Sequence, residues 1–361
     1  MNFSYDNILN NMKKTIFEYL WLDSSQNLCS KIKVIYGKVD KIPIWNYDGT
    51  STGQIIEESG LNSEAKLVPV NYIIHPFLEG AYLVLCETFT QSDNYPLIGN
   101  TRTKARENFE KYKNKKITFG LEQEFFLISK SNMNDDKIYN HKIYKKKINR
   151  DKIDNSNYYT ISDNYKTSHY CKSNNIIEIK LMRELLNIAI KCGLQISGIN
   201  KEVAESQWEY QIGPVEGIEA ADQMIFMKYI LNELCLKYSF TPLFENKPFT
   251  GENGSGCHIN ISFDTSMKEN GLENIKLFIE NMEKDHNNFI NHYSGNINKA
   301  RLTGKNETAS FENFTYGVGT RHTSVRIPFE TYENKKGYFE DRRPGANINY
   351  YSTLNRYLNY F

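Results

Sequence analysis

The chain has 361 residues, of which 40% are hydrophobic and 24% are charged, and this composition is typical of a globular protein. Its 44 basic and 43 acidic residues give a net charge of +1, so we expect no nucleic-acid partner and no anionic membrane partner. A chain of this length is too long for one comfortable hydrophobic core, which predicts two domains.

The six cysteines are scattered, without a CxxC pair or a disulfide-framework spacing. Because no signal peptide is recognisable, we expect reduced thiols and a cytoplasmic location. No apolar run approaches the ~20 residues that a membrane-spanning helix needs.

The first hundred residues predict a small mixed domain. Apolar residues near helical spacing favour a short amphipathic helix over residues 4–20. Strand-like segments follow at 19–22, 31–36 and 82–86. A domain of this size is within the usual range.

The segment 44–54 is rich in Gly, Ser, Thr and Asp, which predicts a loop. Such a loop is more often a plain turn than a functional site. Trp45 and Tyr47, however, give it an apolar anchor that could hold Asp48 in a fixed place.

Residues 117–128 predict a mostly apolar strand that carries Glu122 and Glu124 two positions apart, on the same side. Two adjacent carboxylates repel each other and are costly to bury unpaired, which a divalent cation would resolve. The alternative is an exposed strand edge with solvated acids.

Residues 130–166 are rich in Lys, Asn, Asp and Tyr and have almost no apolar period, which predicts a long solvated insertion. A helix is predicted over 176–192, where an apolar stripe is ended by Gly193.

Residues 207–214 alternate with a period of two, which predicts a strand. Glu209 stands between two amides, Gln207 and Gln211, on its polar face, and Glu202 lies just upstream. The ordinary alternative is a half-buried strand whose polar face meets water. We interpret this strand as the floor of a metal and phosphate site.

A long amphipathic helix is predicted over 217–238 and a strand over 241–244. The Gly-rich segment 250–256 then leads directly to His258 on a strand, and glycines let the backbone approach an anionic ligand closely. A lone His in an apolar strand is otherwise usually a core residue. Residues 271–293 predict another helix.

Residues 321–328 predict a strand, in which strict alternation would put Arg321 and Arg326 on opposite faces. If both serve one site, Arg321 must lie in the turn before the strand or at a bulge. Further on, Glu340 and Arg342 share a side.

Together these segments supply hard oxygen ligands and one imidazole, which suit Mg²⁺ or Mn²⁺ better than structural zinc. The acids and the histidine are Glu122, Glu124, Glu202, Glu209, Glu340 and His258. Metals that face arginines are suited to phosphoryl transfer. The chain has neither a GxxxxGK[ST] loop nor a GxGxxG after a strand, so a P-loop or Rossmann nucleotide site is not expected.

Five segments, in order, resemble glutamine synthetase of the shorter type II, eukaryotic-like group. They are Asp48-Gly49-Thr50-Ser51-Thr52-Gly53-Gln54, Phe119-Gly120-Leu121-Glu122-Gln123-Glu124, Gln207-Trp208-Glu209-Tyr210-Gln211-Ile212-Gly213-Pro214, Asn253-Gly254-Ser255-Gly256-Cys257-His258 and Lys336-Gly337-Tyr338-Phe339-Glu340-Asp341-Arg342-Arg343-Pro344. The resemblance runs from Glu18 to about Asn349.

The resemblance implies an α+β fold: an N-terminal β-grasp domain over residues 1–103, then a catalytic domain over 104–361 with an antiparallel sheet funnel flanked by helices. It also implies two or three Mg²⁺ or Mn²⁺ ions per site. Glu124, Glu202 and Glu209 would hold one ion, and Glu122, His258 and Glu340 a second.

The same resemblance implies residues for each substrate. ATP would be bound by Asn260, Ser262, Arg321, Arg326, Tyr338 and Phe339, and glutamate by Asn253, Gly254, Arg301, Arg321 and Arg342. Glu307 would sit on a flap that closes over the intermediate. Asp48, from a neighbouring subunit, would help to bind ammonium and take its proton.

The implied reaction moves the γ-phosphoryl group of ATP to the glutamate side chain, and ammonia then displaces phosphate to give glutamine. Arg321 and the metals would stabilise the charge on the transferring group. A site shared between subunits implies a homo-oligomer, and the group's usual assembly is a decamer of two pentameric rings.

The chain departs from the family pattern in several segments, none of which removes an expected metal ligand. The family's Gly-Pro-Tyr-Tyr-Cys-Gly is Thr167-Ser168-His169-Tyr170-Cys171-Lys172, its Phe-His before the flap glutamate is Lys305-Asn306, and its Asp-Pro-Phe is His75-Pro76-Phe77. The Arg usual after the Arg-Ile-Pro motif is Phe329. The altered 167–172 loop and the insertion affect the expected adenine contacts and inter-ring packing.

Two alternatives to a glutamate–ammonia ligase stay open. One is a relative that ligates glutamate to a larger amine, against which Asp48 argues because a carboxylate there favours a small cation. The other is a non-catalytic structural or regulatory relative on the same fold. Such relatives typically lose ligands, whereas all six expected ligands are present here.

Overall fold

The computed structural model describes residues 14–56, 63–129, 159–160, 168–250, 252–292 and 295–361. The chain divides into two compact units, the first formed by Met1–Glu107 with Lys191–Gly193, the second by Asn108–Ile190 with Leu194–Phe361. All but two residues of the predicted insertion at 130–166 lie outside the described residues, as does the start of the predicted helix at 4–20.

The first unit contains a five-stranded mixed sheet in the order β2-β1-β5-β4-β3. Its strands are β1 (Lys14–Leu22), β2 (Leu28–Tyr36), β3 (Trp45–Asp48), β4 (Glu64–Ile74) and β5 (Ala81–Thr90). The central pair, β1 and β5, is parallel and the other pairs are antiparallel. Helix α1 (Arg102–Lys111) begins in this unit.

The predicted helix over 4–20 is wrong where the structure describes it, because residues 14–20 belong to strand β1. Phe17, Tyr19 and Trp21 alternate along β1 and are all buried in one aromatic-rich core. Aromatic residues at a period of two pack well on a pleated surface, and here they outweigh the weaker helical spacing of the aliphatic residues.

The predicted loop over 44–54 is wrong in its first part, where Trp45–Asp48 forms strand β3. The strand pairs antiparallel with β4, and Tyr47 is buried with its hydroxyl donating to Gln54 Oε1 at 2.6 Å. Partner-strand hydrogen bonds override the turn-forming composition. Asp48 therefore ends a strand immediately before a turn.

The second unit is built on an eight-stranded sheet in the order β13-β14-β15-β12-β6-β9-β8, with β10 paired to β6. Its strands are β6 (Thr118–Ser129), β8 (Ile196–Lys201), β9 (Gln207–Glu216), β10 (Phe240–Leu243), β12 (Cys257–Ser262), β13 (Tyr316–Val318), β14 (Val325–Ile327) and β15 (Phe339–Asp341). All pairs are antiparallel except β13 with β14. Two short segments, β7 (Tyr159–Thr160) and β11 (Phe249–Thr250), form a separate parallel pair.

Helices supply the rest of the second unit's regular structure. They are α2 (Ile176–Lys191), α3 (Glu219–Lys237), α4 (Gly271–Lys284), α5 (His286–His292), α6 (Gly295–Lys299), α7 (Phe329–Asn334) and α8 (Tyr350–Tyr357), with 3-10 turns at Lys113–Lys115, Asp264–Met267 and Leu358–Tyr360. The helix predicted over 271–293 is in fact two helices, which meet at Asp285. Among the described residues, no helix is both long and apolar enough to cross a membrane.

Candidate active site

One face of the eight-stranded sheet carries a continuous polar patch. Glu124 on β6 pairs with Glu209 on β9, and Glu122 on β6 pairs with His258 on β12. Residues that pair across strands project their side chains from the same face, as do residues two apart on one strand. The strand register therefore brings these four side chains together, while Gln123, between Glu122 and Glu124 on β6, points to the opposite face and is fully buried.

The structure forms two overlapping groups of side chains that could each hold a cation. One group is Glu124, Glu202 and Glu209, and the other is Glu122, Glu209 and His258. Within each group one ligand atom per residue lies within 4.8 Å of the others. Glu202 reaches its group from just beyond the end of β8.

The electrostatics of these groups favour a cation. Burial raises the pKa of Glu124, and the neighbouring Glu202 carboxylate raises it further. Burial also raises the pKa of Glu209, with added repulsion from the carboxylates around it. Burial lowers the pKa of His258 well below its ordinary value, which keeps its imidazole neutral and able to bind a metal. The raised pKa values favour the protonated acids when no cation is bound, and a divalent ion would replace those protons.

Neutral donors fix the direction of the acids on β6. The amide N–H of Gly256 donates to Glu124 Oε2 at 2.7 Å, and Asn260 Nδ2 donates to Glu122 Oε1 at 2.7 Å. Gly256 must be a glycine, because a Cβ there would lie 2.8 Å from His258 Nε2. The Gly-rich segment therefore lies directly against the candidate ligands.

Glu340 is held differently from the other acids. It forms ion pairs with Arg326 (Nε–Oε2 2.5 Å) and Arg342 (Nη1–Oε1 2.7 Å), and its side chain is fully buried. His258 Nδ1 lies 3.6 Å from Glu340 Oε1. Neither of the two candidate cation groups found among the described residues includes Glu340, and the group with Glu122 and His258 is completed by Glu209.

Arg301 is buried and most of its donors are already used. Its Nη2 donates to the carbonyl oxygens of Arg342, Arg343 and Pro344 at 2.8–3.1 Å, and its Nε donates to Asn298 Oδ1. A Cβ on residue 256 would lie 3.0 Å from Arg301 Nη1, so this nitrogen faces the Gly-rich segment. Arg301 therefore ties two loops together and offers one guanidinium nitrogen for a ligand.

Arg321 lies in the turn before β14, because that strand begins only at Val325. Its Nη1 lies 3.3 Å from Glu307 Oε2, and Arg342 Nη2 donates to the Glu307 carbonyl at 3.1 Å. The turn thus places Arg321 beside Glu307, and Arg342 connects Glu307 to Glu340, the ion-pair partner of Arg326. Glu307 is tied to the arginines in this structure.

The residues expected to contact ATP differ in how far their side chains are exposed to solvent. Tyr338 is 44% exposed and Arg326 is partly exposed, whereas the Phe339 side chain is fully buried and packs on Phe278 at 5.4 Å. Phe339 alternates with Glu340 on β15, so its ring faces the core and only its backbone could face a nucleotide. The hydroxyl of Ser262 is hydrogen-bonded to Thr118 Oγ1 at 2.5 Å.

Two of the residues expected to contact glutamate, Asn253 and Gly254, are partly exposed.

Asp48 belongs to the first compact unit, whereas the residues of both candidate cation groups belong to the second. Its carboxylate accepts hydrogen bonds from the Thr50 N–H (3.0 Å), the Thr50 hydroxyl (2.6 Å) and the Ser51 hydroxyl (2.6 Å). These bonds lower its pKa to about 2. The exposed carboxylate is therefore ionised at neutral pH, which suits it to attract a small cation.

Sequence reasoning gave no role to several amides around the acids. Gln207 Nε2 donates to Gly254 O at 3.1 Å and lies 3.5 Å from Glu124 Oε2. Asn200 and Gln211 contact Glu202 and Glu209 directly. Their one sequence signal is the placing of amides two residues from carboxylates, with Asn200 before Glu202 and Gln211 after Glu209.

Comparison with known proteins gives concordant results. The family model described as "Glutamine synthetase, catalytic domain" matches residues 99–358. A "Putative glutamine synthetase" of Acanthamoeba polyphaga mimivirus is 38% identical over 349 residues, covering 93% of this chain and 91% of that protein. The "Glutamine synthetase" of Kluyveromyces lactis is 35% identical over 342 residues, covering 93% of this chain and 86% of that protein. A solved structure described as "Apo GmaS without ligand" has a TM-score of 0.69 at 17% identity, covering 96% of this chain and 76% of that one, which supports the α+β fold.

Proposed function

The chain belongs to the glutamine synthetase family, and from this we propose how its own residues carry out the reaction. The protein is an ATP-dependent glutamate–ammonia ligase that serves glutamine biosynthesis. The γ-phosphoryl group of ATP is transferred to the side-chain carboxylate of glutamate. Ammonia then attacks the resulting γ-glutamyl phosphate, which releases phosphate and leaves glutamine.

The observation that carries this proposal is the pair of overlapping acid groups that share Glu209. Carboxylate oxygens with one imidazole are the donor set that Mg²⁺ or Mn²⁺ accepts in proteins. We propose that Glu124, Glu202 and Glu209 hold one ion, that Glu122 and His258 hold a second with Glu209 or Glu340, and that two or three ions bind per site. When bound, such ions neutralise charge on phosphate oxygens.

Several arginines lie near the candidate cation groups, and we propose that they bind the anionic parts of both substrates. Arg321 and Arg326 would bind the phosphates of ATP, with Asn260, Ser262, Tyr338 and the Phe339 backbone beside the nucleotide. Arg342, Arg321 and Arg301 Nη1 would bind glutamate, with Asn253 and Gly254. For Arg321 to bind phosphate, its ion pair with Glu307 at 3.3 Å must open.

Glu307 is proposed to act on the flap that covers the acyl phosphate. A carboxylate over this intermediate would exclude water, which would otherwise hydrolyse it. Asn306 and Glu307 both have left-handed backbone angles, with φ of 51° and 62°. Asn tolerates such an angle, but for Glu307 it is strained, and strained backbone occurs at switch segments, which supports movement of this loop between two arrangements.

Asp48 of the partner subunit is proposed to bind ammonium. Its three hydrogen bonds from Thr50 and Ser51 keep it ionised, so the carboxylate attracts the cation strongly. The same bonds make it a weak base, and taking the proton requires a closed site in which ammonium is desolvated and its own pKa falls. This role implies a homo-oligomer with active sites between subunits, which we propose is a decamer of two pentameric rings in the cytoplasm.

The finer fold assignment is also a proposal. The parallel central pair of the first unit's sheet, with β1 beside β5, supports a β-grasp domain over residues 1–103. The mostly antiparallel sheet of the second unit supports a catalytic domain over 104–361, whose sheet would form the wall of a funnel.

The test is phosphate release from ATP by the purified protein. We expect release only when Mg²⁺, glutamate and ammonium are all present, with glutamine formed in equal amount. A folded oligomer that releases no phosphate under these conditions would contradict the proposal. Activity with methylamine or a larger amine but not with ammonium would favour the alternative amine ligase.

A further inference from the structure

Two amide side chains link two of the proposed metal ligands into one chain of hydrogen bonds. Gln211 Nε2 donates to Glu209 Oε1 at 2.5 Å and to Asn200 Oδ1 at 3.2 Å. Asn200 Nδ2 in turn donates to Glu202 Oε1 at 2.9 Å. The bridge therefore runs from Glu209 through Gln211 and Asn200 to Glu202.

The pairing of β8 with β9 produces this bridge. Asn200 pairs with Glu209 and Gly198 pairs with Gln211, so all four positions lie on the polar face of the sheet. Gly198 leaves the room that the Gln211 amide occupies, because a Cβ on residue 198 would lie 2.5 Å from Gln211 Oε1. The register and the missing side chain together fix the Gln211 amide over Glu209.

We propose that Asn200 and Gln211 are positioning residues, which aim Glu202 and Glu209 at one divalent cation. This inference rests on the proposed function, in which those two carboxylates are metal ligands. Each acid keeps oxygen lone pairs for a cation: Glu202 Oε1 is held by Asn200 and its Oε2 by the Val203 N–H at 3.1 Å, while one Glu209 oxygen is held by Gln211. Outer hydrogen bonds of this kind fix ligand direction before the metal arrives.

The neutrality of the donors is the physical reason for using amides. An amide N–H carries no net charge, so it orients a carboxylate and leaves the negative charge that attracts a cation. A lysine or arginine in the same place would compete with the metal. Glu340 shows the contrast, since the charged guanidiniums of Arg326 and Arg342 hold it, and not neutral amides.

The experiment measures Mn²⁺ binding to the intact protein by calorimetry, without ATP. Gln211→Met keeps the side-chain length but removes both donated bonds, and Asn200→Leu removes the donor to Glu202. We expect each variant to bind Mn²⁺ about 10- to 100-fold more weakly, the usual effect of losing an outer-shell partner. The thermal unfolding midpoint of the metal-free protein reports whether folding is preserved.

A further variant tests the inference even if Gln211→Met or Asn200→Leu disturbs folding. Gly198→Ala adds one methyl group that must displace the flexible end of Gln211, so it should weaken Mn²⁺ binding in the same direction. Combined with Gln211→Met it should add little further loss, because the amide is already gone. Ser197→Ala on the same strand is the matched control, since Ser197 is exposed and bonds only to the Gln211 carbonyl.

Wild-type affinity in Gln211→Met, Asn200→Leu and Gly198→Ala would overturn the inference. So would unchanged Mn²⁺ binding with weaker ATP binding, which would make the amides nucleotide contacts. Glu209→Ala shows whether a negative result concerns the positioning role alone or the proposed metal site as well. If it abolishes Mn²⁺ binding while the amide variants do not, only the positioning role is wrong; if the wild-type protein itself binds no Mn²⁺, the proposed metal site is wrong as well.

Discussion

Glu209 and Glu202 differ in how many cation groups they serve. Glu209 supplies an oxygen to both candidate groups, whereas Glu202 belongs to one. Glu209 stands at the pairing position of Glu124 on the neighbouring strand and two residues from Gln211, which puts it at the centre of the polar face. Substitution of Glu209 and substitution of Glu202 should therefore reduce the number of bound cations to different extents.

We expect Glu209→Gln to weaken Mg²⁺ or Mn²⁺ binding at both groups by more than about 100-fold, since even outer-shell changes cost roughly 10- to 100-fold. Glu202→Gln should weaken binding at one group only. Calorimetric titration of each variant counts the remaining ions. Equal ion counts for the two variants would show that Glu209 is not shared.

Divalent-ion affinity should increase with pH through the neutral range. Burial and neighbouring carboxylates raise the pKa of Glu124 and Glu209, so a metal must displace protons, and affinity should rise by up to about tenfold per pH unit for each proton displaced. Calorimetry in buffers of different ionisation enthalpy at pH 6 to 8.5 measures the released protons. Affinity that does not change with pH would contradict this prediction.

The same shifts predict the opposite trend for the metal-free protein. An acid whose pKa is higher in the folded than in the unfolded state binds more protons when folded, so the folded state is favoured at low pH. Stability of the metal-free protein should therefore fall as pH rises from the ordinary carboxyl pKa through neutrality. Saturating Mn²⁺ should reverse this fall in thermal unfolding.

At the scale of elements, the segment from β15 into the following loop divides its side chains between the site and the core. Glu340 and Arg342 lie on the polar face and pair with each other. Asp341 and Arg343 point the other way and are fully buried, with Arg343 Nη2–Asp341 Oδ2 at 2.7 Å and the Tyr357 hydroxyl donating to Asp341 at 2.9 Å. The Arg343 guanidinium also packs on Phe289 at 3.9 Å. A buried ion pair thus anchors the strand that carries Glu340.

We expect Arg343→Met to destabilise the fold by roughly 3–5 kcal/mol, because it leaves Asp341 as an uncompensated buried charge. The double variant Asp341→Asn, Arg343→Met should recover part of that loss. Chemical denaturation measures both. Lys276→Ala, which breaks only an exposed pair with Glu273, is the control and should change stability by less than about 0.5 kcal/mol. An equally small effect of Arg343→Met would show that the buried pair does not anchor β15.

For the whole molecule, the division of residues between the two compact units bears on assembly. Asp48 lies in the first unit, and every proposed metal ligand lies in the second. The proposal that Asp48 acts in the site of a partner subunit can be tested without knowing the number of subunits.

Mixed oligomers of two inactive variants should recover activity. If each site takes Asp48 from one subunit and Glu209 from its neighbour, random co-assembly of Asp48→Ala with Glu209→Gln leaves about one site in four with both native residues. We therefore expect co-expressed variants to show about a quarter of wild-type activity. Glu122→Gln with Glu209→Gln is the control and should recover none, because both residues come from the same subunit. No recovery in the first mixture would place Asp48 outside a shared site.

Local sequence patterns predicted most of the elements that carry the site. Strands form where they were predicted, at 117–128 with its paired acids and at 207–214 with its period of two. A helix, α2, likewise forms where the apolar stripe predicted it. One prediction that failed is the single helix over 271–293, which is interrupted at Asp285. Two others failed where a partner strand decides the structure, at β1 and at β3. Hydrogen bonds to a distant strand are not visible in a local window.

The order of the five motifs was enough to predict the family, the reaction and the residue types of the candidate metal site, because these motifs together are specific to that chemistry. How those residues combine depends on the folded sheet. The pairing of β6 with β9 and β12 makes Glu209 common to both candidate cation groups, and the register of β8 against β9 gives Asn200 and Gln211 their contacts. Strand register depends on hydrogen bonds between segments far apart in the chain, so these contacts exist only once the sheet has formed.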